Sequence, residues 1–283
     1  MNDEIREHYR APGLPGQIRT AFGKFAAVGR PWSVADLAPL DQFHFGGLAA
    51  TAELASLCEL TEHSRVLDLG SGLGGPARYL ATVFGCRVEG IDSSADFVES
   101  ARELASQTGL DERVRFDQGH VCHLPYRAGH FDVVWTQHVS MNVADRVRLY
   151  GEIARVLRPG GIFAAFEPVA TDRSPPDFPL PWARTPQSSF LVTETRMREL
   201  ILATEAFDVI SWRERSGPDL GWMAARERSQ ISTNRLIPTA LAAVLGADFP
   251  LMLRNFIDAL DSRRVALVQA VLRRRRASDV GLA

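Results

Sequence analysis

The stretch Val66-Leu67-Asp68-Leu69-Gly70-Ser71-Gly72-Leu73-Gly74-Gly75 constrains this chain more than any other. Val66, Leu67 and Leu69 suit a strand covered on both faces, as in a parallel sheet. Gly70, Gly72 and Gly75 satisfy G-x-G-x-x-G, which allows a tight turn, close backbone approach to a ligand, and close packing of strand on helix. Many doubly wound folds share such a turn, so its neighbours decide its meaning. Asp68 sits inside the strand end, where a carboxylate is costly to bury unless something pairs with it. Val88-Glu89-Gly90-Ile91-Asp92 is a second short apolar strand ending in an acid. Asp92 lies about 20 residues beyond the glycines, where an acid accepts hydrogen bonds from ribose hydroxyls. Strand, glycine turn, helix, strand and acid make a nucleoside-binding half.

Asp68-x-Gly70-x-Gly72-x-Gly74, with Asp92 ending the next strand, resembles motif I and its follow-on in class I S-adenosylmethionine-dependent methyltransferases. Glu152-Ile153-Ala154-Arg155-Val156-Leu157-Arg158-Pro159-Gly160-Gly161 is similar to the segment before that family's fifth strand. Within the superfamily the chain most resembles the small-molecule type 11 group, which includes sarcosine/dimethylglycine and tocopherol methyltransferase-like enzymes. The resemblance covers residues 41–168. It implies an α/β, Rossmann-like, mostly parallel seven-stranded sheet with helices on both faces. It also implies S-adenosylmethionine as cofactor, held by Asp68, Gly70, Ser71, Gly72, Gly74, Asp92 and Ser93, and methyl transfer to N, O or C of a small-molecule acceptor. After the third strand the family usually carries an acid that accepts from the adenine amino group. This chain has Gly119-His120-Val121 there. A neutral His120 accepts through its unprotonated nitrogen; alternatively Cys122 or a backbone carbonyl takes the contact.

Composition excludes several other chemistries. Lys24 is the single lysine, so no P-loop Gly-Lys-Ser/Thr exists, and a Schiff base would have to fall on that one residue. No tyrosine stands in a Tyr-x-x-x-Lys pair, as short-chain dehydrogenases require. The net charge of −2 offers no global field for nucleic acid or an acidic membrane. Cys58, Cys86 and Cys122 are odd in number and lack C-x-x-C spacing, so they read as buried thiols of a reducing compartment. Met1-Asn2-Asp3-Glu4 is no signal peptide and no apolar run reaches membrane-spanning length, so the expectation is a cytoplasmic protein. His120, Cys122 and His123 have no second cluster at ligand spacing, and no metal is expected.

Residues 1–60 are expected to form a helical lid and pocket segment. Helices are read over Glu4 to Tyr9, Ile18 to Val28 and Leu48 to Leu60. Gln42 and His44 precede the last of these and are candidates for touching substrate. Residues 61–168 alternate strand and helix, with strands at Val88 to Ile91, Val114 to Phe116, Phe131 to Trp135 and Ile162 to Phe166. Ser93 and Ser94 can cap the helix that follows Asp92. Ligands bind outside the carboxyl ends of strands in open α/β sheets. Gln137, His138 and Asn142 follow strand four and so face the site, with Gln137 on the cofactor side. His138 is the candidate base or orienting group and Asn142 a further substrate contact. Residues 169–192 read as a lid loop, in which Trp182 walls the pocket and Arg184 pairs with an acidic substrate. Strands are expected at Phe207 to Arg213 and Val265 to Leu272. Between them residues 218–262 read as a helical cap or an oligomer surface, with Leu236, Ile237, Leu241, Val244 and Leu245 as apolar positions. Arg273 to Arg276 reads as a solvated basic run. Two rivals remain open: a nicotinamide-dependent oxidoreductase on a similar fold, and a protein that binds S-adenosylmethionine without catalysis.

Overall fold

The computed structural model describes residues 3–10, 12–26, 32–215 and 246–276. The first half runs α1 (Asp3–His8), α2 (Leu14–Ala26), α3 (Val34–Asp41), α4 (Gly47–Ala55), β1 (Arg65–Leu69), α5 (Gly75–Phe84), β2 (Arg87–Asp92), α6 (Ala95–Gln107) and β3 (Val114–Gln118). It continues with β4 (Phe131–Gln137), α7 (Arg146–Val156), β5 (Leu157–Ala170), α8 (Glu194–Leu202), β6 (Phe207–Arg215), α9 (Phe249–Asp261) and β7 (Val265–Arg274).

The strands form a seven-stranded sheet in the order β3-β2-β1-β4-β5-β7-β6. β7 runs antiparallel to both β5 and β6, and the other pairs are parallel. Alternation along each strand builds two cores. Val66 in β1 and Val133 and Trp135 in β4 pack toward α4, α5, α6 and α9. Leu67 and Leu69 in β1 and Val134 in β4 pack on the opposite face, toward α7 and α8. This is the mostly parallel, doubly covered sheet that the sequence predicts.

The chain leaves β1 toward β2 and β3, then returns to place β4 on the other side of β1. That reversal opens a crevice at the carboxyl ends of β1 and β4. The loops after these strands carry Gly70 to Gly74 and His138 to Asn142, so topology alone brings the two segments together.

Several boundaries differ from the sequence expectation for identifiable reasons. α3 is not anticipated, because Pro39 lies inside it. A capping box starts it all the same: Ser33 Oγ accepts from Asp36 N, and Asp36 returns the bond to Ser33 N. β5 extends well past the expected 162–166, because β7 pairs with it continuously from Ile162 to Ala170. The helix expected to run to Leu60 ends at Ala55. Most of the expected 218–262 insertion, with its apolar positions at 236–245, lies outside the described residues, and α9 is its described end. Among the described residues no helix is long and apolar enough to cross a membrane.

Candidate active site

The crevice contains a cavity of about 240 Å³ whose wall runs from the glycine turn to α9. At the first end the turn is stiff. Gly70 N and Ser71 N both donate to Ile91 O, at 2.8 and 3.1 Å, and Gly74 N donates to Ser71 O at 2.7 Å. Gly72 N donates to Asp92 Oδ2 at 2.9 Å, and Ser94 N donates to Asp92 Oδ1 at the same distance. Gly70 has φ +64°, and a Cβ there would lie 2.7 Å from Val139 Cγ2. Only glycine lets this turn and the loop after β4 approach so closely.

Two carboxyls face the cavity at this end, and their environments differ. Asp92 accepts two backbone N–H groups and keeps lone pairs for further donors. Asp68 is buried, with Oδ2 lacking any partner. Burial first, and the Asp92 charge second, push its carboxyl up to about 8, against an opposing hydrogen bond from Ala77. Ser71 Oγ beside it is also buried without a partner. The orphaned oxygens, the spent N–H groups and the acidic charge fit a cationic nucleoside and oppose a pyrophosphate, which needs free N–H donors.

The opposite end is built from neutral polar groups set in apolar walls. Trp135 Nε1 donates to Gln137 Oε1 at 2.9 Å, and Thr51 Oγ1 lies 3.1 Å from the same oxygen. Because indole only donates, this contact fixes Gln137 with Oε1 toward Trp135 and its unpartnered Nε2 elsewhere. Thr51 Oγ1 also lies 2.8 Å from Gln42 Oε1 and 3.0 Å from His44 Nε2. Gly47 O, 3.0 Å from His44 Nε2, can only accept, so the neutral His44 ring carries its proton on Nε2. Burial pulls His44 down to about 4. His138 stands across from it, ring centroids 6.1 Å apart. Burial, with His44 as a lesser cause, holds His138 well below 6.5, and its Nε2 has no partner.

The His138 backbone is unusual, with φ +55°. A bulky residue reaches this region only when the surroundings over-determine it. Here His138 N donates to Phe166 O at 2.9 Å. One oxygen of the buried Glu167, Oε2, then accepts from Val139 N, Ser140 N and Ser140 Oγ at 2.9–3.0 Å. The register that pairs Gln137 with Phe166 puts Glu167 directly under this turn.

The lid side completes the wall. Asn142 Nδ2 bonds Tyr9 Oη at 3.0 Å, and His8 Nε2 bonds Pro181 O at 2.9 Å, tying the N-terminal segment to the β4 loop and to the lid loop. Asp41 pairs with the wholly buried Arg78 at 2.5 Å, fastening α3 to α5. Trp182, Phe45 and Phe256 pack edge to face, Trp182–Phe256 at 5.1 Å and Phe45–Phe256 at 5.6 Å. Met141, Phe249 and Leu253 extend the apolar wall.

Of the residues singled out from the sequence, Asp68, Gly70, Ser71, Gly72, Asp92, Ser93, His120 and Val121 line the cavity near the glycine turn. Gln42, His44, Gln137, His138, Asn142 and Trp182 line it as well, and the Leu69–Thr136 pairing sets Gln137 beside Gly70, so it borders both parts of the cavity. Two do not reach it. Gly74 packs under Phe116, where a Cβ would lie 2.4 Å from Cζ, so it serves the packing of strand on helix. Arg184 pairs with Asp248 at 2.7 Å and lies outside the lining. His120 also differs in detail. Its Nδ1 accepts from Cys122 N at 3.1 Å, so in the neutral ring Nε2 carries the proton and donates. Thr51, Glu167, Tyr9 and the α9 side chains were missed. A lone hydroxyl in the apolar run of α4 and the i, i+4, i+7 spacing of Phe249, Leu253 and Phe256 were the available signals.

Residues 67–165 match a family model described as a methyltransferase domain. The chain is 37% identical over 119 residues to a glycine/sarcosine/dimethylglycine N-methyltransferase of Actinopolyspora halophila, covering 42% of this chain and 21% of that protein. It is 36% identical over 129 residues to the methyltransferase GfsG of Streptomyces halstedii, covering 46% of each. The matches therefore span less than half the length of either relative. Among solved structures, the geranyl diphosphate C-methyltransferase of Streptomyces coelicolor A3(2) has the same fold, with a TM-score of 0.64 at 16% identity, covering 80% of this chain and 77% of that one.

Proposed function

We propose that this chain, whose residues 67–165 form a methyltransferase domain, is an S-adenosylmethionine-dependent methyltransferase acting on a small molecule. The carrying observation is the glycine turn with its N–H groups spent inside the protein and two carboxyls, Asp68 and Asp92, on its cavity face. Such a site favours a nucleoside bearing positive charge over a dinucleotide. Asp92 holds the ribose hydroxyls with its remaining lone pairs. Asp68 and Ser71 offer their unpartnered oxygens to the cationic part of the cofactor. His120, whose Nδ1 is taken by Cys122 N, lines this end and walls the base there.

The bound cofactor supplies a methyl group activated on sulfonium. The protein's task is then to position the attacking atom and exclude water, and alignment alone is worth about 7–11 kcal/mol. Trp182 and Phe256 close the far wall against solvent. His138 orients the acceptor through its unpartnered Nε2 and takes a proton where the acceptor must lose one. Its low affinity for protons keeps it in the unprotonated form this role needs, and makes it a weak base.

Incubation with methyl-labelled S-adenosylmethionine and representative neutral alcohols, phenols, amines and activated carbon acids tests the reading. The expected result is acceptor-dependent formation of S-adenosylhomocysteine, with Asp92→Ala weakening cofactor binding by about 1.5–3 kcal/mol. Cofactor binding without product from any class would favour a binding-only protein. Unchanged affinity in Asp92→Ala would remove Asp92 from the site.

A further inference from the structure

We infer that the methyl acceptor is an uncharged, largely apolar molecule whose reacting group is a hydroxyl, because the acceptor end of the cavity pairs neutral hydrogen-bonding groups with aromatic walls and, among the described residues, offers no charge partner. This rests on the methyl-transfer reading, since it takes the end remote from the glycine turn as the acceptor chamber.

Charge accounting carries the argument. No lysine or arginine lines the cavity among the described residues. The arginine expected to anchor an acidic substrate, Arg184, faces Asp248 outside the wall. Of the buried guanidiniums, Arg78 is held by Asp41, and Arg146 is spent on Val143 O, Tyr150 Oη and Phe190 O. An acceptor bearing a carboxylate or phosphate would therefore enter a dry chamber without a counter-charge, which is costly. The three lining carboxyls do not serve a cationic acceptor either. The charge of Asp41 is already matched by Arg78 through Oδ2, although its Oδ1 has no partner, and Asp68 and Asp92 belong to the glycine-turn end.

The polar groups that do face the chamber are neutral. Gln42 Nε2, Gln137 Nε2, His138 Nε2 and Asn142 Oδ1 are buried and unpartnered, and Gln137 is locked in place by Trp135. Unmet hydrogen-bonding groups in a buried wall are satisfied by a ligand or carry a penalty. Gln137 Nε2 is a donor, and His138 Nε2 is one imidazole nitrogen. A hydroxyl both accepts and donates, so one oxygen can satisfy both. Phe45, Met141, Trp182, Phe249, Leu253 and Phe256 give the rest of the acceptor an apolar bed. A site built to hydrogen-bond an OH discriminates strongly against analogues lacking it.

Three probes that share one naphthalene ring test this on the full-length protein saturated with S-adenosylhomocysteine: 2-naphthol, 2-naphthoate and 2-naphthylmethylamine, titrated calorimetrically at neutral pH. The expected result is saturable binding of 2-naphthol, with the anion and the ammonium at least about tenfold weaker. Leu253→Arg, which puts a cation in the wall, should weaken 2-naphthol and strengthen 2-naphthoate. If that variant does not fold, the wild-type ranking still decides. Equal or tighter binding of either ion, or no binding of 2-naphthol by protein that has bound S-adenosylhomocysteine, overturns the inference. Failure to bind S-adenosylhomocysteine itself overturns the methyl-transfer reading, and this inference with it.

Discussion

Asp68 is a carboxyl kept in a place that favours its neutral form, buried beside Asp92 with one oxygen unpartnered. Its pKa is raised on folding, so between its ordinary 3.8 and about 8 the folded state holds a proton that the unfolded chain has lost. The sign is then fixed: this group's contribution to stability falls as pH rises through that window. Asp68→Asn should raise the melting temperature of the cofactor-free protein at pH 8 by a few degrees, flatten that fall, and weaken S-adenosylmethionine binding. A melting profile unchanged by the substitution would mean that Asp68 has a partner. His138 shifts in the opposite sense, held well below 6.5 and so unprotonated at neutral pH. Turnover at saturating cofactor should therefore show no His138 limb above about pH 6.5, with loss only in acid. His138→Ala should lower kcat by about 10²–10⁴-fold for a hydroxyl acceptor while leaving cofactor affinity near normal. Full turnover in that variant would leave His138 a wall residue.

The turn after β4 shows how one element depends on another that is distant in sequence. His138 at φ +55° is held because β5 places Glu167 beneath it, where Oε2 collects three donors. Glu167→Gln replaces a carboxyl oxygen that accepts three hydrogen bonds and brings an amide N–H into a crowd of donors, at a cost of about 1–3 kcal/mol. The expected outcome is a lower melting temperature and a lower kcat, with cofactor affinity little changed, since the glycine turn keeps its own hydrogen bonds. Equal losses in kcat and cofactor affinity would show that the two loops act as one. The turn's position was legible in the sequence, because a polar run follows an apolar strand. Its support was not, because nothing local marks Glu167 as its anchor. α3 illustrates the complementary case: the Ser33–Asp36 cap was present in the sequence, and Pro39 hid the helix behind it.

For the molecule as a whole, what could be read in advance is the part made by local pattern. The alternation of β1 to β5 with helices, the glycine turn, and Asp92 at the end of β2 all follow from spacing within short windows. The rest of the cavity wall comes from residues 5–9, 38–47, 137–143, 181–182 and 249–256, which only the folded sheet brings together. Single residues in those segments could be nominated, and Arg184 shows the risk, since a cation in a lid loop has many possible partners. The cofactor end is thus the better determined half, and it carries the central claim. Isothermal titration with S-adenosylmethionine, S-adenosylhomocysteine and NADH in parallel tests that claim most directly. Saturable one-to-one binding of the two sulfur nucleosides and none of NADH is expected, with proton release on S-adenosylmethionine binding at pH 7 as Asp68 ionises. Binding of NADH alone would contradict it and return Asp68 to a structural role.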